Sequence, residues 1–150
     1  MKLEIELIPS TAWYSNLRNK ILKKEWDAIR KQSYADADYK CAICGAEGRL
    51  NCHELWEYDD QKHIQKLKGF IALCGDCHMI KHLGFAEIRC SKGLLDMDKL
   101  IKHFMKVNNV DKNTFDKCHE YAFKIWGKRS QKEWITDLAQ WSNFINNSKS

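Results

Sequence analysis

The chain has 150 residues, of which 44% are hydrophobic and 30% charged, so it can bury one core while keeping a well-solvated surface. No apolar run approaches the roughly 20 residues of a membrane span, and the charged, alternating Met1-Lys2-Leu3-Glu4-Ile5-Glu6 is unlike a secretory signal. A net charge of +5, spread along the chain, permits a nucleic-acid partner without requiring one.

In residues 2–8, Leu3, Ile5 and Leu7 alternate with Lys2, Glu4 and Glu6, which predicts a short strand. Pro9 ends it, and Ser10 or Thr11 is placed to cap the next segment. From Ser15 to Ala37 the apolar spacing turns helical, predicting one bent helix or two short ones with a break near Lys23-Lys24. Residues 39–93 carry most of the glycines and the clustered Cys and His. Strands and loops are expected there until about Asp76, then a helix through His82 that Gly84 closes. After Asp96 the chain is helical again. Leu100, Ile101, Phe104, Met105 and Val107 make one apolar face; Phe115, Cys118, Ala122, Ile125 and Trp126 make a second. Ser130-Gln131-Lys132-Glu133 reads as a capping box opening a third helix, with Trp134, Ile135, Leu138, Trp141 and Ile145 inward and residues 146–150 frayed.

Seven cysteines, an odd number, suit a disulfide framework poorly. Four of them form Cys41-x2-Cys44 and Cys74-x2-Cys77. Each such knuckle can offer two thiolates from a tight turn, and two knuckles complete the tetrahedron of a structural zinc. Gly45 follows the first pair, where the turn needs positive φ. Cys90 and Cys118 lack such neighbours and read as core residues. The pattern places the protein in a reducing, cytoplasmic compartment. His78 and His82 are four apart, so on a helix both imidazoles leave one face and can chelate one ion.

The run from Cys41 to His82 resembles the HNH endonuclease family, with the zinc-knuckle decoration many members carry. The resemblance implies a ββα-metal module in which a β-hairpin supplies a metal ligand and a base and the next helix supplies further histidine ligands. It also implies a second divalent ion (Mg2+, Mn2+, Ni2+ or Zn2+) and a nucleic-acid substrate, DNA foremost. Two registers fit the first half. One makes His53 a metal ligand with His78 and His82 and puts Glu54 in the base slot; the other makes Cys52 the ligand and His53 the base. The first keeps the apolar alternation of Leu50-x-Cys52. The chain departs from the family at the base position and at the asparagine that orients the base, where Gly69 stands.

Beside this site, Trp56, Lys68 and Lys81 are candidate nucleic-acid contacts, although Trp56 reads more readily as a core residue and the lysines equally as a solvated face. Asp59-Asp60 reads as a hairpin tip, and His63 as a more distant metal candidate. The expected architecture is α+β, mainly helical, in a single domain spanning 1–150. A zinc-stabilised HNH-like module (39–84) lies between an N-terminal helical segment (10–38) and a C-terminal one (96–146). Two functions fit these residues: a metal-dependent endonuclease, or a degenerate module that keeps its zinc and binds nucleic acid or protein without cutting.

Overall fold

The Cys/His-rich stretch folds as a β-hairpin followed by a helix in a computed structural model that describes residues 1–13 and 16–144. Strands β1 (Asn51–Asp59) and β2 (Ile64–Leu73) pair antiparallel, with His53 opposite Ile71 and Glu54 opposite Phe70. Asp59 makes the tip, its carboxylate accepting the N–H groups of Gln61 and Lys62 at 3.0 and 2.9 Å. The register shifts after Leu55, which faces Gly69, because Trp56 next faces Leu67 and Lys68 is left over as a bulge. Gly69 has φ +152°, a backbone state that glycine adopts at little cost.

Helix α1 (Lys23–Asp36) precedes the hairpin. After it come α2 (Gly75–Lys81), α3 (Leu83–Ser91), α4 (Met97–Asn108) and α5 (Lys112–Arg129). The fold is thus mixed α+β and predominantly helical, a small three-stranded sheet flanked by helices. None of the helices among the described residues is long and apolar enough to cross a membrane. Asp96 and Asp111 start α4 and α5 by accepting N–H groups of the first turn from Lys99 and Asp98, and from Thr114. One core gathers Leu3, Leu73, Cys77, Ile80, Leu83, Leu100, Phe104 and Phe115 between the hairpin's end and the helices. A second, under the sheet, joins Leu17, Leu67 and Leu138 to Trp56, Phe70 and Trp141.

Five expectations need correction. Residues 2–8 turn Leu3, Ile5 and Leu7 inward as anticipated, but they form an extended strap and not a strand. They join no strand ladder among the described residues. Asn108 instead brackets Leu3 with two 2.9 Å hydrogen bonds, and the Glu6 N–H donates to the Lys81 carbonyl at 3.1 Å. Neither Ser10 nor Thr11 caps the 3-10 turn Ser10–Ala12; the Thr11 hydroxyl donates to the Lys132 carbonyl.

Only the second half of 15–37 is helical, because Leu17 is drawn into the lower core and residues 16–22 run as turns. Gly84 does not close α2. His82 makes the break at φ −105°, and the buried Leu83 and Ala86 carry the chain straight into α3. The capping box at 130–133 opens no helix. Ser130 ends α5, its hydroxyl accepting the Ser10 N–H, and Ile135–Asp137 becomes β3, parallel to the start of β2. The outer edge of β2 needs backbone partners, and a three-residue strand meets that need where a helix would not. Ile135 is therefore exposed, whereas Leu138 and Trp141 do pack inward. Ile145 and the tail at 146–150 lie outside the described residues.

Phe104 is fully buried and meets Phe115 edge-on at 5.2 Å. Phe104→Ala is expected to cost about 3–5 kcal/mol in denaturant unfolding, the range for emptying a large aromatic site; a loss under about 1 kcal/mol would place the main core elsewhere.

Candidate metal centres

The four knuckle cysteines converge although they come from two distant stretches of chain. Sγ atoms of Cys41, Cys44, Cys74 and Cys77 all lie within 4.8 Å of one another. Local backbone prepares this. Gly45, at φ +77°, lets its N–H return to the Cys41 carbonyl, and the Cys44 N–H reaches the Cys41 sulfur at 3.5 Å. In the second knuckle the Cys74 sulfur accepts the Cys77 N–H at 3.4 Å and so caps α2.

All seven cysteines are free. The Cys44 and Cys74 sulfurs are 3.6 Å apart, far beyond a disulfide's roughly 2.05 Å. Two thiolates at about 2.3 Å from one tetrahedral zinc would sit about 3.8 Å apart, close to this spacing. Charge argues the same way. Burial raises the Cys41 thiol, but N–H groups of Cys44, Cys74 and Ile43 outweigh it and bring it to about 7. Burial and the neighbouring sulfurs push Cys74 up to about 11 and Cys77 further still. Four sulfurs this close cannot all ionise without a cation among them, so the donor set fits zinc.

The second group is His53 from β1 with His78 and His82 from α2 and its end. One ring nitrogen of each lies within 4.8 Å of the others. Nδ1 of His53 and Nε2 of His82 are 3.1 Å apart, against about 3.3 Å for two nitrogens held at about 2.05 Å in a tetrahedron. Burial, then the neighbouring His53, lowers His78 to about 4. The same two causes lower His82 to about 3. Both imidazoles are therefore neutral at pH 7, the form that binds metals. His53 is 4% exposed, and its Nε2 makes no well-formed hydrogen bond; the nearest partner is a Glu6 oxygen at 3.5 Å. A cleft of about 520 Å3 passes His53 and Glu54 between the strap and α5, and an apolar one of about 680 Å3 borders His82.

Glu54 lies next to His53 along β1, but its carboxylate accepts N–H groups of Leu17 and Arg18 at 3.2 and 3.4 Å. Burial raises its pKa in spite of those bonds. Cys52 is not in the histidine group; burial raises its thiol, and the Ser33 hydroxyl partly offsets this. His63 stacks edge-on against Trp134, away from the other histidines. The bulge residue Lys68 is exposed and 3.7 Å from Glu57.

Two of the nucleic-acid candidates lie partly or wholly inside the fold. Trp56 is half-buried in the lower core. Lys81 is 5% exposed, with its ammonium 2.7 Å from Glu6, because α2 turns that face toward the strap. Cys90 and Cys118 are half-buried, and Cys118 packs on the main core.

Two contacts carry no signal in the sequence pattern. His103, on α4, brings Nε2 to 3.2 Å from the Cys77 sulfur, and Glu6 reaches the histidines from the strap. His103 is adjacent in sequence to core Phe104, but no spacing to the knuckles marks it. Glu6 has only the signature of an outward strand residue.

A buried four-cysteine cluster and a histidine triad on a hairpin-helix unit make the layout of a ββα-type metal module. Comparison with protein-family models, with curated proteins and with solved structures finds no match.

Replacing Cys41 and Cys77 together by Ser is expected to abolish about one tightly bound zinc and the cooperative melting of the module, because such sites supply folding free energy directly. Metal analysis and thermal melting check this; wild-type melting in that variant would remove the four-thiolate assignment.

Proposed function

We propose that this chain is an HNH-type endonuclease that hydrolyses phosphodiester bonds in nucleic acid, DNA foremost, in a reducing, cytoplasmic setting. In this reading Cys41, Cys44, Cys74 and Cys77 hold a structural zinc, and His53, His78 and His82 hold a separate divalent ion, Mg2+, Mn2+, Ni2+ or Zn2+. The observation that supports it most is the convergence of three imidazoles beside a cluster that already has its own four ligands. A structural knuckle has no need of them.

When bound, the second ion supplies Lewis-acid polarisation of the phosphate and stabilises the leaving oxyanion. The chain's own residues do the rest. His53 is held by the hairpin, His78 by α2 and His82 by the end of α2, which fixes their spacing before any ligand arrives. Glu54 borders the cleft that passes His53. Its two oxygens carry about four lone-pair sites and two accept backbone N–H groups, so it retains acceptor capacity for a proton from water. Its raised pKa moves it toward the range a general base needs. Lys68 is the candidate that keeps an exposed ammonium for a phosphate.

One observation favours the alternative, a non-catalytic zinc module that binds nucleic acid or protein. The Glu54 carboxylate already secures the loop at Leu17 and Arg18, a sufficient structural reason for a buried acid on β1.

Nicking of supercoiled plasmid with Mg2+, Mn2+ or Ni2+, with and without EDTA, separates the two. His78→Ala with His82→Ala is expected to abolish nicking and the weaker ion while the thiolate zinc stays. Glu54→Gln is expected to lower turnover about 10²–10⁴-fold at nearly unchanged metal affinity. A Glu54→Gln protein that cuts normally but melts earlier makes Glu54 structural, and a wild type inert with every ion selects the binding module.

A further inference from the structure

The strap residue Glu6 bears on the histidine group in a way that neither the motif nor the core explains. His53 turns Nδ1 toward His82 Nε2, 3.1 Å away, so Nδ1 is its metal-facing atom. The opposite ring atom, Nε2, is buried without a well-formed hydrogen bond. Glu6 Oε2 stands 3.5 Å from it. Glu6 is not itself one of the converging ligand groups.

We propose that Glu6 is the positioning carboxylate of the histidine site: it accepts the Nε2–H of His53 and so fixes the tautomer that leaves Nδ1 free for a cation. This rests on the metal-site reading of the triad and not on nuclease activity.

Two contacts hold Glu6 for this task, and Asn108 anchors the strap that carries it. Its other oxygen is bound by the Lys81 ammonium at 2.7 Å. Its backbone N–H donates to the Lys81 carbonyl at 3.1 Å. Leu3, earlier in the strap, is bracketed by Asn108 through both backbone groups. An acid needed only to neutralise Lys81 has no reason to direct its second oxygen at a buried imidazole. Metal ligation through Nδ1 requires His53 to keep its proton on Nε2, and the nearby group of matching charge is this carboxylate. A carboxylate behind a ligating histidine raises its basicity and locks the ring, and losing one typically costs about 10–100-fold in metal affinity. Lys81 offsets the added negative charge, so the strap contributes orientation without leaving a half-buried anion unpaired.

The test must separate this from the ion pair with Lys81. Lys81→Met serves as background, and Glu6→Gln is added to it. Ni2+ binding is measured by calorimetry on protein whose thiolate site is filled with zinc, and the His53 ring protons are followed by NMR with zinc in both sites. Relative to Lys81→Met alone, the added Glu6→Gln is expected to weaken Ni2+ about 10–100-fold and to move the Nε2 proton of His53 upfield, with melting and thiolate zinc unchanged. Equal Ni2+ affinity in the two proteins, or an unmoved His53 proton, overturns the role of Glu6. A wild type that takes up no ion beyond the thiolate zinc overturns the metal-site reading itself, a different result from the first.

Discussion

Helix α2 spans two turns, too few for an isolated helix to hold together in water, so its position depends on what fastens its first residues. The Cys74 sulfur caps it, Cys77 is buried at its start, and both sulfurs meet Cys41 and Cys44 from the other knuckle. His78 stands in the next turn of the same helix, and His82 is the residue that ends it. A shift of α2 by one residue would turn His78 about 100° off its line toward His53. The geometry of the histidine group is therefore inherited from the cysteine cluster, and His103 adds a contact to that cluster from α4.

Much of the site was legible because ligand spacing is local. Two C-x2-C pairs and an i, i+4 histidine pair state their geometry within a few residues, and the hairpin's acidic tip carries its own turn chemistry. Partners that arrive from distant segments were not legible. Glu6 and Leu3 alternate as a strand would, yet whether such a stretch finds a sheet edge is decided elsewhere in the chain. Residues 130–137 illustrate the same limit. Their capping-box pattern is real, but the unpaired edge of β2 claims Ile135–Asp137 as a third strand.

Charge was the least reliable guide. Lys81 looked available to phosphate because lysine is seldom buried, yet its helix face points into the strap and Glu6 answers its charge. Glu54, which the resemblance puts in the base slot, accepts two backbone N–H groups. Trp56, more readily a core residue than a contact, packs on the lower core. At each position the sequence supplied the chemical group, and packing set what it faces.

X-ray absorption at the metal edges tests the central claim most directly, using protein with zinc in the tight site and nickel in the weaker one. Two separate centres predict a zinc edge with four sulfurs at about 2.3 Å and a nickel edge with nitrogen and oxygen neighbours only. Nitrogen in the zinc shell, or sulfur in the nickel shell, would mean that the cysteines and histidines share one site, and would contradict the account.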